Sequence, residues 1–361
     1  MRPVYNFSAG PAMLPEEVLQ LAQAEMLNWH DTGMSIMELG HRGPEFQALA
    51  AESEANLRSL MSIPENYRVL FMPGGATAQF AMVPMNLTVQ NKKVDYVDTG
   101  IWSKKAIAEA KRYADVNVVA NCVTHDGLID ILHHKDWRLS KEAAYLHYTP
   151  NETIEGIEFH YIPETDKPLI ADMSSMILSR PIDVSRYGII YAGAQKNLGQ
   201  AGIAVVIVRE DLIGKAQPYT PTLYQYSIMN ENHSFYNTPP TYSWYIMSLV
   251  LAWVKQKGGV DAMFAMNQRK AKKLYAMIDG SNGFYQNNIH TDCRSMTNIV
   301  FTLQNPQLEA VFLEQSKAAN LTNLRGHRIV GGMRASLYNA MPEAGVDHLI
   351  EFMQEFLRKN G

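Results

Sequence analysis

Cysteine is scarce in this chain: Cys122 and Cys293 are the two thiols in 361 residues. That excludes a disulfide framework and fits a reducing compartment. Long apolar runs are missing as well, and the longest, near Ile246 to Val254, is far too short to span a bilayer. No apolar signal core stands at the start, Met1-Arg2-Pro3-Val4-Tyr5-Asn6-Phe7, so a cytoplasmic location is expected. Neither sign of charge dominates: a formal net charge of −4 gives no electrostatic reason to expect nucleic acid or a membrane as partner. The histidines are scattered, with His133 and His134 adjacent and so pointing apart. No His, Cys or carboxylate set shows metal-ligand spacing, and no metal is expected. Internal repeats, low-complexity segments and flexible linkers are also absent.

What is present reads as a large ordered enzyme. Apolar residues make up 47% of the chain and charged residues 19%, and 361 residues suffice for a full core and two domains. Pro15, with Glu16-Glu17 after it, predicts a helix start, and Val18, Leu19, Ala22, Met26 and Leu27 continue it at helical spacing. Seven short apolar runs follow, at Val69–Met72, Val94–Val97, Val116–Val119, Ala144–Tyr148, Leu169–Asp172, Ile189–Ala192 and Ala204–Val208. Helical or loop stretches separate most of them, which predicts an α/β fold with a mostly parallel, seven-stranded sheet covered on both faces. Beyond about Tyr219 a Pro/Tyr/Asn-rich loop leads to helices predicted over Thr241–Lys257 and Val260–Ile278. A smaller α/β unit closes the chain, with strands predicted at Thr297–Leu303 and Met333–Leu337 and a last helix from Val346 to Leu357.

Lys196 is the most informative residue. It closes the run Ile189-Ile190-Tyr191-Ala192-Gly193-Ala194-Gln195, while an earlier run, Pro168-Leu169-Ile170-Ala171, ends in Asp172. A lysine and an aspartate at the ends of successive buried strands are what a pyridoxal phosphate enzyme requires. The lysine forms a Schiff base with the cofactor aldehyde, and the aspartate keeps the pyridine nitrogen protonated. A surface lysine with a turn-capping aspartate is the plainer alternative. A phosphate seat is read at Pro73-Gly74-Gly75-Ala76-Thr77, where glycines turn a strand into a helix and backbone amides can approach an anion. This stretch matches neither the dinucleotide-binding fingerprint nor the P-loop.

Several motifs then resemble the phosphoserine aminotransferase family, a branch of the class V pyridoxal-phosphate-dependent aminotransferases. They include Asn6-Phe7-Ser8-Ala9-Gly10-Pro11, His41-Arg42-Gly43, Pro150-Asn151-Glu152-Thr153-Ile154-Glu155-Gly156 and Asp172-Met173-Ser174-Ser175. Ser179-Arg180-Pro181, Ala194-Gln195-Lys196-Asn197, Asn237-Thr238-Pro239-Pro240 and Gly326-His327-Arg328 through Arg334-Ala335-Ser336 complete the set, in order, over essentially the whole chain.

The resemblance implies fold type I of the pyridoxal-phosphate-dependent transferases. Residues 1–15 would be a segment associated with the small domain, 16–258 the large cofactor-binding domain and 259–361 the small C-terminal domain. It implies Lys196 as Schiff-base lysine and proton carrier, Asp172 as partner of the ring nitrogen, Trp102 stacked on the ring and Thr153 bonded to the ring hydroxyl. The cofactor phosphate would be held by Ala76, Thr77 and Gln195, with Asn237 and Thr238 reaching across from a second subunit. A homodimer with active sites at the subunit interface follows. Arg334 would clamp the substrate α-carboxylate. His41 and Arg42 would bind the distal anion, with His327 and Arg328 nearby from the partner. The implied reaction is ping-pong transfer of the amino group from L-glutamate to 3-phosphohydroxypyruvate in serine biosynthesis. The family is also linked to 4-phosphohydroxythreonine in pyridoxine synthesis, and no residue decides whether this chain shares that role.

Two departures stand out. Some members carry Gly-Arg where this chain has Ala76-Thr77, and a serine where it has Ala9, so a direct substrate contact by Thr77 is in doubt. Three rivals are weighed: a cysteine desulfurase, which would need a thiol beside the cofactor; a transaminase using alanine or serine with glyoxylate; and a non-catalytic protein that keeps the fold.

Overall fold

The computed structural model describes residues Val4–Gly361. Met1, Arg2 and Pro3, part of the opening segment read above, lie outside the described residues. The chain starts with β1 (Tyr5–Asn6), α1 (Glu16–Ala24) and α2 (Pro44–Met61). It enters its large sheet at β2 (Tyr67–Met72), followed by α3 (Gly75–Leu87), β3 (Lys93–Asp98), α4 (Ile101–Ala110), β4 (Asp115–His125) and β5 (Leu128–Ile131). Next come β6 (Leu146–Tyr148), a small hairpin of β7 (Asn151–Glu152) and β8 (Ile157–Glu158), and then β9 (Leu169–Asp172), β10 (Ile189–Gly193) and β11 (Ala204–Arg209). Helices α5 (Tyr226–Glu231), α6 (Thr241–Gln256) and α7 (Gly259–Asp279) lead to the last unit. That unit holds β12 (Tyr285–Gln286), β13 (Asn298–Leu303), α8 (Glu309–Ala318), β14 (Leu321–Thr322), β15 (Met333–Ser336) and α9 (Glu343–Asn360).

The large sheet has eight strands in the order β2-β11-β10-β9-β6-β3-β4-β5, which corrects the seven expected. The additional strand is β5, paired antiparallel with β4 across the Asp126-Gly127 turn. Both turn residues have positive φ, 52° and 82°, the conformation that favours Asp-Gly in a tight hairpin. β5 escapes an apolar reading because it lies at the sheet edge and is mostly half-exposed. β11 is also antiparallel to both neighbours, since the ten residues joining it to β10 form a turn and not a crossover helix. The central pairs β10–β9, β9–β6, β6–β3 and β3–β4 are parallel. The side chains of β6, β9 and β10 are buried on both faces, as continuous runs such as Ile189-Ile190-Tyr191-Ala192 require.

α1 ends at Ala24, short of the predicted Leu27, which is 84% exposed. Beyond it the Asn28 side chain bonds Asp31 and accepts from Gly33 N, which turns the chain away from the helix axis. Two apolar clusters pack the faces of the large sheet and a third fills the C-terminal unit. Phe7 and Met13 join that third cluster, and Tyr5 pairs with Leu321. α7 serves two cores: Val260 and Met263 face the large one, Ala271, Leu274 and Ile278 the small one.

Buried amides join the units. Asn197, next to Lys196, accepts from Asn339 N at 3.0 Å. The Asn339 side chain donates to Leu178 O at 2.9 Å and accepts from Asn267 Nδ2 at 2.8 Å.

Candidate active site

Strands β2, β3, β6, β9 and β10 share one direction, so their C-terminal ends open on one edge of the sheet, where α/β folds bind ligands. A cavity of about 350 Å³ lies against that edge. It brings together seven of the predicted residues: Ala76, Thr77, Trp102, Thr153, Asp172, Gln195 and Lys196. A larger cavity of about 770 Å³, beside α2 and Phe235, has no lysine in its lining; chemistry and not size marks the site.

Register explains the central pair. Tyr191 of β10 lies opposite Asp172 of β9, so the residues ending these strands reach the same edge. Lys196 is buried, and its Nζ donates to Thr153 Oγ1 at 2.7 Å and stands 5.7 Å from the centre of the Trp102 ring. Asp172 is buried too. Its Oδ1 accepts from Ser174 N at 3.0 Å and Ser174 Oγ at 2.6 Å, while among the described residues no donor meets Oδ2. Burial pushes the Asp172 carboxyl above its ordinary value, against the pull of the Ser174 bonds and of the Lys196 charge.

Burial also draws the Lys196 amine from 10.5 down to about 8; the charges of Asp172 and Glu152 oppose that fall and Arg334 adds to it. The neutral, nucleophilic amine therefore dominates above about pH 8 in the cofactor-free protein. Cyanate should carbamylate Lys196 half-maximally near pH 8, whereas exposed lysines need about pH 10.4. Peptide mass spectrometry over a pH series reads this, and a Lys196 profile centred above pH 10 would contradict it.

The phosphate seat follows from backbone geometry. Gly74 precedes α3 at φ 85° and ψ 2°, and a Cβ there would lie 2.6 Å from Ala78 Cβ, so glycine is required. The first amides of α3, including those of Ala76 and Thr77, have no intrahelical acceptor and point toward the cavity end of the helix.

The remaining predicted residues form two groups. Arg334, on β15, donates from Nη1 to Thr153 O at 3.2 Å, which puts it beside the cavity. Burial lowers the His327 pKa, and the charges of Arg334, Arg328 and Lys105 lower it further, so these four basic groups share one electrostatic neighbourhood. His41, Arg42, Asn237 and Thr238 lie outside the cavity lining of their own chain. His41 and Arg42 meet at Phe235, two residues before Asn237: the His41 ring is 6.2 Å from the Phe235 ring, and Arg42 Nη2 is 3.5 Å from Phe235 O. Arg42, Asn237 and Thr238 are exposed.

Some residues at the site had no assigned role in the sequence. Lys105 Nζ stands 4.4 Å from the Trp102 ring centre, one helical turn along α4. Thr149 lines the cavity with a buried, unpartnered hydroxyl. Burial pushes both thiols, Cys122 and Cys293, up to about 12, which leaves neither as a ready nucleophile.

The chain belongs to a family of amino-group transferases: the family profile described as Aminotransferase class-V matches residues 4–349. Within it, the chain is similar to the phosphoserine aminotransferase of Hahella chejuensis, at 58% identity over 357 residues, 99% of this chain and 98% of that protein. Among solved structures, phosphoserine aminotransferase from Bacillus circulans subsp. alkalophilus matches with a TM-score of 0.96 at 46% identity, over 99% of both chains. The pyridoxal-phosphate-bound phosphoserine aminotransferase of Trichomonas vaginalis matches with a TM-score of 0.93 at 43% identity, over 97% of this chain and 99% of that one.

Proposed function

We infer that this chain reversibly transfers the amino group of L-glutamate to 3-phosphohydroxypyruvate, giving O-phospho-L-serine and 2-oxoglutarate, with pyridoxal 5'-phosphate as cofactor. This is the transamination of serine biosynthesis. The observation that carries the reading is the buried Lys196–Asp172 pair on one cavity, in a chain similar throughout to phosphoserine aminotransferases.

The residues present fit that cofactor. Asp172 Oδ2, free of protein donors among the described residues, would take the ring N–H. Trp102 would cover a ring face and Thr153 would meet the ring hydroxyl. The amides at Ala76 and Thr77, with Gln195, would hold the phosphate. Bound there, the cofactor supplies an aldehyde for the amino group and a protonated ring that draws electrons from the substrate Cα.

The chain's own groups do the rest. Lys196 Nζ would remove the substrate Cα proton, and the Asp172 carboxylate would keep the ring nitrogen protonated. Arg334 would grip the α-carboxylate through two parallel bonds. The distal anion, γ-carboxylate or phosphate, would meet the guanidinium groups of Arg42 and Arg328 and the imidazoles of His41 and His327, with Lys105 beside Trp102. Both substrates carry an anion at each end, so one pocket serves both in turn and the kinetics are ping-pong.

The patch around Phe235 supports a homodimer as the active unit. Asn237, Thr238, His41 and Arg42 sit together on it, outside their own cavity. In a two-fold dimer each copy's patch would complete the other's cavity, which reverses the expected assignment: His41 and Arg42 would come from the partner, while His327 and Arg328 share the neighbourhood of their own chain's Arg334.

The visible absorption spectrum tests the reading. The protein loaded with cofactor should be yellow, bleach with phosphoserine, and bleach far less with serine or alanine. Equal bleaching by serine or alanine would move the assignment to a glyoxylate-type transaminase, and a protein that stays colourless with pyridoxal phosphate would overturn it at Lys196.

A further inference from the structure

The first turn of α4 is capped by side chains that the proposed chemistry does not use. Glu155 Oε1 accepts from Ile101 N at 2.9 Å, Glu152 Oε2 from Trp102 N at 3.1 Å, and Glu152 Oε1 from Ser103 N at 2.8 Å. Two carboxylates thus take the first three amides of the helix, some fifty residues away in sequence, where the helix dipole favours negative charge. Both lie against Gly100: a Cβ built there would be 2.7 Å from the Glu152 carboxyl carbon and 2.6 Å from that of Glu155.

Glu152 is fully buried, and Glu155 Oε2 is a buried oxygen without a partner among the described residues. Burial raises both carboxyls, and the Glu155 charge raises Glu152 further. Both Glu152 oxygens accept N–H groups and suit the ionised form.

The chain between these carboxylates and the helix they hold both touch the reactive lysine. Thr153, next to Glu152, bonds Lys196 Nζ at 2.7 Å, and Trp102, whose amide Glu152 holds, faces Lys196 Nζ at 5.7 Å. We propose that Glu152, with Glu155 beside it, is a positioning residue for transamination: it ties the Trp102 segment to the Thr153 segment, so that ring and hydroxyl stand at fixed places around Lys196 Nζ. The proposal rests on the functional reading above. A plain helix cap would stabilise α4 and leave the chemistry alone; a positioning residue acts through Trp102.

The two glutamates separate under substitution. Glu155→Gln keeps an acceptor for Ile101 N and changes only the oxygen that meets no donor among the described residues, so kcat and the visible circular dichroism of the bound cofactor should stay as in the parent. Glu152→Gln turns a side-chain amide N–H toward a backbone N–H donor and loosens the Trp102 backbone. Its kcat should fall by about tenfold to a hundredfold, as a misplacement near 1 Å does, with the KM for glutamate changing less than about threefold. Its visible circular dichroism should shrink and cofactor binding to the apo-protein should weaken.

A double-mutant cycle with Trp102→Ala decides the route: if Glu152 acts through the ring, the combined loss is smaller than the product of the single losses. Should Glu152→Gln not fold, Gly100→Ala presses on the same two carboxylates from the other side and should give the same loss of kcat and dichroism. Losses that multiply with Trp102→Ala, or a Glu152→Gln protein with parental kcat and dichroism, would overturn the positioning role. A parent protein that phosphoserine does not bleach would count against the functional reading instead.

Discussion

Lys196→Ala should fold with near-parental secondary structure and lose transamination at least a thousandfold, since it removes the nucleophile and the proton carrier together. The fold should survive because burying this amine is itself costly. Burial pulls its pKa down to about 8, and its one hydrogen bond is to Thr153, so alanine removes a desolvation cost along with the contact. The space left opens onto an existing cavity and not into a sealed core. The variant should still bind pyridoxal phosphate through the helix α3 amides, yet lose it on dialysis. Single-turnover assays with glutamate, alongside circular dichroism, measure both halves. Turnover within about tenfold of the parent would remove Lys196 from the centre of the reaction.

The second large effect is expected from Asp172→Asn. The amide oxygen can keep the bonds from Ser174 N and Oγ, which hold Oδ1 now, so the side chain should stay in place. What changes is the atom at the Oδ2 position, from an anionic acceptor to an N–H donor. A ring nitrogen facing that donor would have to give up its proton, and the ring would lose its draw on the Cα electrons. In a buried site a charge-assisted bond is worth a few kcal/mol, and about 4 kcal/mol corresponds to a thousandfold in rate. We expect kcat to fall by about that factor while the protein still takes up colour. A colourless variant would point to cofactor binding as the main role of Asp172, and a loss below about tenfold would leave its partnership with the ring nitrogen without support.

Most of the sheet was legible because buried parallel strands are continuous apolar runs, and the charged residues that end β9 (Asp172) and follow β10 by three positions (Lys196) announce chemistry. β5 was not legible, since an edge strand with half-exposed side chains has no apolar run to show; its one signal was Asp126-Gly127. Seven cavity residues, Ala76, Thr77, Trp102, Thr153, Asp172, Gln195 and Lys196, were readable from the sequence, and Thr149 was not. The task of Glu152 and Glu155 was not, although both stand in the quoted Asn151–Gly156 stretch. Their partners are the amides of Ile101, Trp102 and Ser103, and a contact across fifty residues leaves no periodicity or spacing to read. Lys105 escaped for a similar reason: a lysine in the first turns of an amphipathic helix looks like any solvated charge until the ring beneath it is seen. The end of α1 was misjudged because Met26 and Leu27 keep helical spacing, while the Asn28 turn that stops the helix depends on side-chain bonds.

The amide joint at Asn197 bears on what recombination between relatives could exchange. Asn197 follows the reactive lysine directly, and its partner Asn339 lies three residues beyond the strand that carries Arg334. Lys196 and Arg334 are thereby anchored to a single joint, even though they belong to segments more than a hundred residues apart. A crossover near residue 258 would divide that joint between two parents. The heritable module of this enzyme is therefore defined by which asparagines must arrive together, and its border does not coincide with the border between its two hydrophobic cores.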